Sequence, residues 1–181
     1  MKQKIKKMRN LAIIILLILS IKQTFAQTME TKTIEQSIAT LEDKMAIKNV
    51  VDVFSNLADT KAIAEQVMLF TEDGVVESYS QGERSSLLKG REQLEQAFSG
   101  FLSNFHTVYH QNGQQTIDEL TENTAKATSY CQVILVGQQD GKQIKTTMYT
   151  IYKDEFVKQN GQWLIKNRQS NFMWREVEEM K

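Results

Sequence analysis

The 181-residue chain has no proline, one cysteine and two histidines, and its 22 basic residues are matched by 22 acidic ones. A single thiol, Cys131, can close no internal disulfide and cannot supply a cysteine-based zinc site. A formal charge of zero removes the electrostatic case for nucleic acid as a partner. There is no G-x-S-x-G elbow, no G-x-x-x-x-G-K-[ST] loop and no G-x-G-x-x-G turn, so hydrolase-elbow, P-loop and dinucleotide readings lack support. No internal repeat, linker or low-complexity stretch interrupts the chain. What is present is ordinary globular composition, 41% apolar and 24% charged, which argues against intrinsic disorder.

The zero charge is unevenly distributed. Residues 1–26 carry six basic side chains and no acid. An apolar run, Leu11–Ile21, is broken only by Ser20, and Thr24-Phe25-Ala26 follows. A basic stretch, a short apolar stretch and a small residue at the junction describe a secretory signal peptide. As a membrane anchor the run is short: 11 residues of helix span about 16 Å, against about 30 Å of hydrocarbon. The expectation is cleavage near Ala26 and export, periplasmic or secreted, with no stable membrane anchor afterwards. Residues 27–181 then keep 16 basic and 22 acidic residues, a net charge of −6. Such a domain is not drawn to phosphate backbones or anionic membranes.

Residues 27–39 read as a polar lead-in, 40–176 as one domain and 177–181 as an acidic tail. Met45, Ile47, Val50, Val51, Phe54 and Leu57 form the stripe of an amphipathic helix ending near Ala58. A shorter helix fits Lys61–Phe70, and a third fits Arg91–Phe105. Val75–Tyr79 reads as a strand. After His106 the period shifts to long strands over Val108–Glu119, Ala125–Val136, Ile144–Val157 and Trp163–Trp174. Gly137–Gly141 and Asn160-Gly161 are turn signals between the later ones. Short connections imply antiparallel neighbours. The fold class is α+β, with helices packed on one face of a curved sheet. Strands of 12 residues extend about 40 Å, and a sheet that long must twist and curl. Closed on one side by helices it forms a cone with an interior. Phe54, Phe98, Phe101, Tyr130, Tyr149 and Tyr152 are among the aromatics that either line that interior or simply fill the core.

Three positions carry candidate chemistry. Cys131 sits in an apparent strand with no adjacent histidine and reads as a buried, inert thiol rather than a nucleophile. His106 and His110 are four apart, but the zincin pattern is broken by Thr107. On a strand that spacing is about 13 Å, too far to share an ion, so no metal site is expected. Asp59 follows the first helix. It reads either as a cap for the next helix or as an acid turned to the interior. His110 lies on a strand near Gly113, where a bulge can re-aim side chains.

The segments Thr40–Ile47, Asn56-Leu-Ala-Asp59-Thr, Leu69–Val76, Lys89-Gly-Arg-Glu92, His110–Gln114, Tyr130-Cys131 and Asn160-Gly-Gln-Trp163-Leu-Ile165 with Arg168, in that order and spacing, resemble SnoaL-like proteins of the nuclear transport factor 2-like superfamily. The resemblance covers about residues 40–175. It implies a cone-shaped α+β roll with one deep, largely apolar pocket, and acid–base catalysis on small hydrophobic molecules without a cofactor. Relatives include scytalone dehydratase, ketosteroid isomerase and polyketide cyclases. In the dehydratase-like members an aspartate after the first helix faces a histidine on the first long strand, and Asp59 and His110 match those positions. The second pocket histidine of that dehydratase has no counterpart on the next strand here, where Tyr130 stands. Tyr130 or Tyr149 could polarise a carbonyl or hydroxyl, with Phe54 and Phe98 lining the substrate. The expected partner is a small hydrophobic ligand, and relatives are typically homodimers through the outer sheet face. A lyase or isomerase and a non-catalytic binding or dimerisation module of the same fold both remain open.

Overall fold

The computed structural model describes residues 33–181, so the expected signal segment lies outside the described residues. The chain divides into two compact units, 1–43 and 44–181. In the first, residues 33–43 are helical, so the described part of the polar lead-in, 33–39, lies in helix, and 27–32 are outside the described residues. All that follows concerns the second unit.

Its elements run α1 (residues 44–59), α2 (Ile63–Val67), β1 (Phe70–Ser80), β2 (Glu83–Lys89), α3 (Gly90–Leu102), β3 (Phe105–Leu120), β4 (Thr124–Gln139), β5 (Lys142–Gln159) and β6 (Gln162–Glu179). The sheet order is β2-β1-β6-β5-β4-β3. Among the described residues only the β1–β6 pair is parallel; the other neighbours are antiparallel. Helices on a curved, mainly antiparallel sheet are the α+β roll expected.

Four details differ. β2 was not foreseen: its apolar content is only Leu87 and Leu88, too little for a strand pattern, and it is fixed by the turn before it. At Gln81 and Gly82 the backbone has φ +54° and +84°, the two positive values of a tight hairpin turn. Phe70 begins β1 rather than ending α2, and Phe105 begins β3 rather than ending α3. Both are apolar residues at a period change, where the helix stripe and the strand alternation agree on the residue and disagree on the element. Gly137 lies inside β4, opposite Phe105 and Ile144; the turn is Asp140-Gly141, again with positive φ at both residues. Val177, Glu178 and Glu179 of the expected tail pair with Thr146, Lys145 and Ile144, so β6 continues through them.

The core sits between helices and sheet. Ile47, Val51, Leu94, Phe70, Phe156 and Ile165 are at most 1% exposed. In β4 the interior positions are Ala125, Ala127, Ser129, Cys131, Val133 and Leu135, all buried. These alternate with Lys126, Thr128, Tyr130 and Gln132 on the other face, as strand geometry requires. In β6 the side-chain phase changes. Phe156 pairs with Ile165 but Glu155 pairs with Asn167, a bulge. That shift lets both Ile165 and Arg168 point inward, although they are three residues apart.

Candidate active site

Asp59 is the last residue of α1. The helix closes with the Ala62 N–H donating to the Leu57 carbonyl at 2.9 Å and with Lys61 at φ +57°. A carboxylate in the final turn opposes the helix dipole, so its place there needs another partner. It does not cap α2, whose N-cap residue is Ala62, with no side-chain bond. The partner is His110 of β3. Asp59 Oδ1 lies 2.6 Å from His110 Nδ1, and Oδ2 accepts the His110 backbone N–H at 3.2 Å. Both carboxylate oxygens therefore hold one residue. A carboxylate can only accept, so Nδ1 carries the proton and donates it. In the neutral ring Nε2 is then the lone-pair nitrogen.

His110 lines a cavity of about 360 Å³, at the lower end of the ~300–1,000 Å³ range of small-molecule sites. Its wall is mostly apolar: Phe54 and Ala58 from α1, Phe98 and Leu102 from α3, Val133 and Leu135 from β4. Phe54 and Phe98, both expected at the ligand, do line it and meet edge-on at 6.0 Å.

One group in the wall was cited only as part of the family pattern. Arg168 is 1% exposed and lines the same cavity. Its Nε donates to Asp154 Oδ1 at 2.8 Å and its Nη2 to Asp154 Oδ2 at 2.7 Å. The guanidinium sits in the corner between the edge-to-face rings of Phe54 and Tyr152, 4.2 and 4.4 Å from their centroids. Burial works against its charge, but Asp154 overrides this and holds the guanidinium firmly protonated. Among the described residues, two polar atoms buried in the wall have no partner, Arg168 Nη1 and Gln66 Oε1. Lys166 and Arg175 lie on the same strand, so no signal of composition singles Arg168 out.

Tyr130 and Tyr149 do not reach this cavity. They lie on the opposite sheet face, in a separate depression of about 310 Å³ with Trp174. Tyr149 stacks on Trp174 at 4.2 Å and 15° and donates to Glu176. The reason is phase: Tyr130 alternates with the inward Ser129 and Cys131, and Tyr149 pairs with the outward Gln132. The tyrosine inside is Tyr152, paired with Ser129. His106 is also outside, bonded to Thr107 and Gln143. Cys131 is buried, and burial pushes its thiol up to about 12. Among the described residues no group of three or more His, Cys, Asp or Glu could hold a metal.

The description of a SnoaL-like domain matches residues 39–169. A solved candidate scytalone dehydratase from Novosphingobium aromaticivorans DSM 12444 superposes with a TM-score of 0.66 at 25% identity, covering 78% of this chain and 91% of that one. A candidate aromatic ring hydroxylase from Novosphingobium aromaticivorans gives 0.66 at 20% identity, covering 77% and 94%. A type 2 hexachlorocyclohexane dehydrochlorinase gives 0.65 at 12% identity, covering 78% and 91%. The last two show the fold alone. No curated protein matches.

Proposed function

Since the chain belongs to the SnoaL-like domain family of the nuclear transport factor 2-like superfamily, whose fold is related to dehydratases and isomerases, we propose that its cavity binds a small hydrophobic molecule and acts on it by cofactor-free acid–base chemistry of the dehydratase or isomerase type. The observation that carries this is the 2.6 Å contact between Asp59 and a His110 ring that lines the cavity. His110 Nε2 removes a proton from carbon beside an electron-withdrawing group. Asp59 stabilises the imidazolium that forms and fixes its tautomer. The same proton then leaves with a β-hydroxyl as water, or returns at another carbon, and the imidazole is neutral again. The first outcome is a dehydration, which the name of the solved Novosphingobium structure also describes.

The test begins with mass spectrometry of whatever co-purifies in the cavity. With that compound, His110→Ala and Asp59→Asn keep binding within a few-fold and lose turnover. Binding with no turnover by the wild type would make this a ligand-binding module of the same fold.

Two further parts belong to the proposal. Export rests on the pattern of residues 1–26, and N-terminal sequencing of the secreted form should begin at Gln27. Self-association as a homodimer rests on the exposed Tyr130, Met173 and Trp174 of the sheet face away from the cavity.

A further inference from the structure

α1 carries Asp52, Ser55 and Asp59 at i, i+3 and i+7, which puts the three on one side of the helix. β3 carries His110 and Asn112, two apart and so on one side of the strand. β3 stands last in the sheet order. The His110 backbone N–H, of a kind that an edge strand leaves open, is spent on Asp59.

A second anchor lies one helical turn back. Asn112 reaches α1 through both ends of its amide. Its Nδ2 donates to Asp52 Oδ1 at 3.0 Å and to the Val51 carbonyl at 3.4 Å, and its Oδ1 accepts from the Ser55 hydroxyl at 3.1 Å. Chemistry fixes the orientation of that amide: a carboxylate and a carbonyl can only accept, so the nitrogen faces them. Ser55 is 3% exposed, where a hydrogen bond meets little competition from water.

The two anchors match in spacing. Four helical residues, Ser55 to Asp59, rise about 6 Å. Two strand residues, Asn112 to His110, advance about 7 Å. The register of β3 to β4 is regular from Thr107 to Asn112, and the next shift comes after Asn112. Both anchors therefore share one coordinate, the travel of α1 along β3. Asp59 ends its helix, and helix ends fray. A reacting pair loses its geometry over about 1 Å. The Asn112 anchor sits inside the helix and resists the slide that would open the pair.

We propose that Asn112, held by Ser55, is a positioning residue for the Asp59–His110 pair: it sets how far α1 can travel along β3, and with that the distance between carboxylate and ring. Its bearing on catalysis rests on the acid–base reading above.

The experiment uses the protein without ligand. In nitrogen-15-labelled protein the His110 Nδ1 proton is observed directly and its exchange with water is timed. In the wild type it is protected, as the 2.6 Å contact and the 7% exposure of the ring require. Asn112→Ala speeds the exchange about 10-fold, as expected for the loss of two hydrogen bonds, and moves the proton upfield. Ser55→Ala does the same in part. The double variant exchanges no faster than Asn112→Ala alone, because Ser55 acts through Asn112. Ile165→Val, which removes a methyl from the core of β6 and touches none of these bonds, leaves the proton and its exchange unchanged. Wild-type exchange and proton position in Asn112→Ala overturn the positioning role and leave the acid–base reading standing. A rise of equal size in Ile165→Val also overturns it, since Asn112 would then act on overall stability alone. A wild-type ring with no protected Nδ1 proton overturns the anchor together with the reading it rests on.

Discussion

Asp154 and Arg168 form a two-bond fork entirely inside the protein, at 2.8 and 2.7 Å, with side-chain exposures of 0% and 1%. Such a pair contributes little net stability, because desolvation offsets most of the attraction, but removing one partner strands a buried charge. Asp154→Ala should lower unfolding free energy by about 3–5 kcal/mol. The double variant Asp154→Leu/Arg168→Met should recover most of that loss. Urea midpoints of the three proteins check this. A loss under about 1 kcal/mol in the single variant would mean that the fork does not bear on stability.

Asp59 should set the tautomer of His110 independently of any ligand. Nitrogen-15 spectra of the neutral ring should place the proton on Nδ1 in the wild type. In Asp59→Asn the amide can turn either its oxygen or its nitrogen towards the ring, so the two tautomers should mix. Turnover of a substrate should fall by about 10²–10⁴-fold, the usual worth of a positioned acid–base group. An unchanged tautomer in the variant would show that Asp59 does not orient the ring.

The Asp59–His110 pair was legible early because each residue carries a signal at its own position: an acid just where a helix stripe stops, and a histidine beside a strand glycine. Their meeting was not readable from periodicity and came from the family pattern. The polar half of the site was misread for a physical reason. Tyr149 and Tyr152 are three apart on β5, so only one can face inward. Deciding which requires the register to β4, where Ser129 opposite Tyr152 is interior. Tyr130 was readable, since Ala125, Ala127, Ser129 and Cys131 alternate with polar residues and place it outside. Arg168 turns inward through the bulge between Phe156 and Glu155, a local irregularity that alternation cannot show. The sheet's extent was underestimated because β2 and the end of β6 carry few apolar residues and are held by turn geometry and pairing.

Alkaline pH should weaken the fold from within. Burial raises the Cys131 thiol from 9.0 to about 12, and burial raises Tyr152 in the same direction. An acid whose folded pKa is raised ionises first in the unfolded chain. Its stabilising share is therefore complete below the unfolded value and is lost as pH climbs to the folded one. For Cys131 the window runs from 9.0 to about 12. Each group steepens the decline by up to about 1.4 kcal/mol per pH unit. Urea unfolding at pH 8 and pH 10.5 should show the drop, and Cys131→Ala should lessen it. Iodoacetamide at pH 8 should label Cys131 only after denaturation; rapid labelling of the folded protein would contradict its burial.

Gly137 should tolerate no side chain. A Cβ there would meet the Asn104 backbone oxygen at 2.6 Å and Phe105 Cδ1 at 3.2 Å, at the point where β3 leaves α3. Backbone cannot yield as a flexible side chain would, so Gly137→Ala should cost about 1–3 kcal/mol. Gly100, inside α3 with nothing within 4 Å of its added Cβ, is the contrast. Gly100→Ala should stabilise by about 0.5–1 kcal/mol through helix propensity. Thermal unfolding of both variants reads the opposite signs.

The sheet face away from the cavity should carry self-association. Trp174 is 57% exposed although it stacks on Tyr149, and Met173 and Tyr130 beside it are 52% and 42% exposed. Clustered aromatics and a methionine on an open sheet face mark an association surface better than scattered apolar residues do. A charge placed at the centre of such a patch would be buried unpaired in a dimer and would cost enough to separate it. Sedimentation should therefore show a dimer for the wild type and a monomer for Trp174→Asp. Losing the stack costs the isolated domain only about 0.5–1.5 kcal/mol. The His110 ring resonances should stay in place, because the cavity lies on the other side of the sheet. A wild-type monomer, or a Trp174→Asp protein that remains dimeric, would remove this face from consideration.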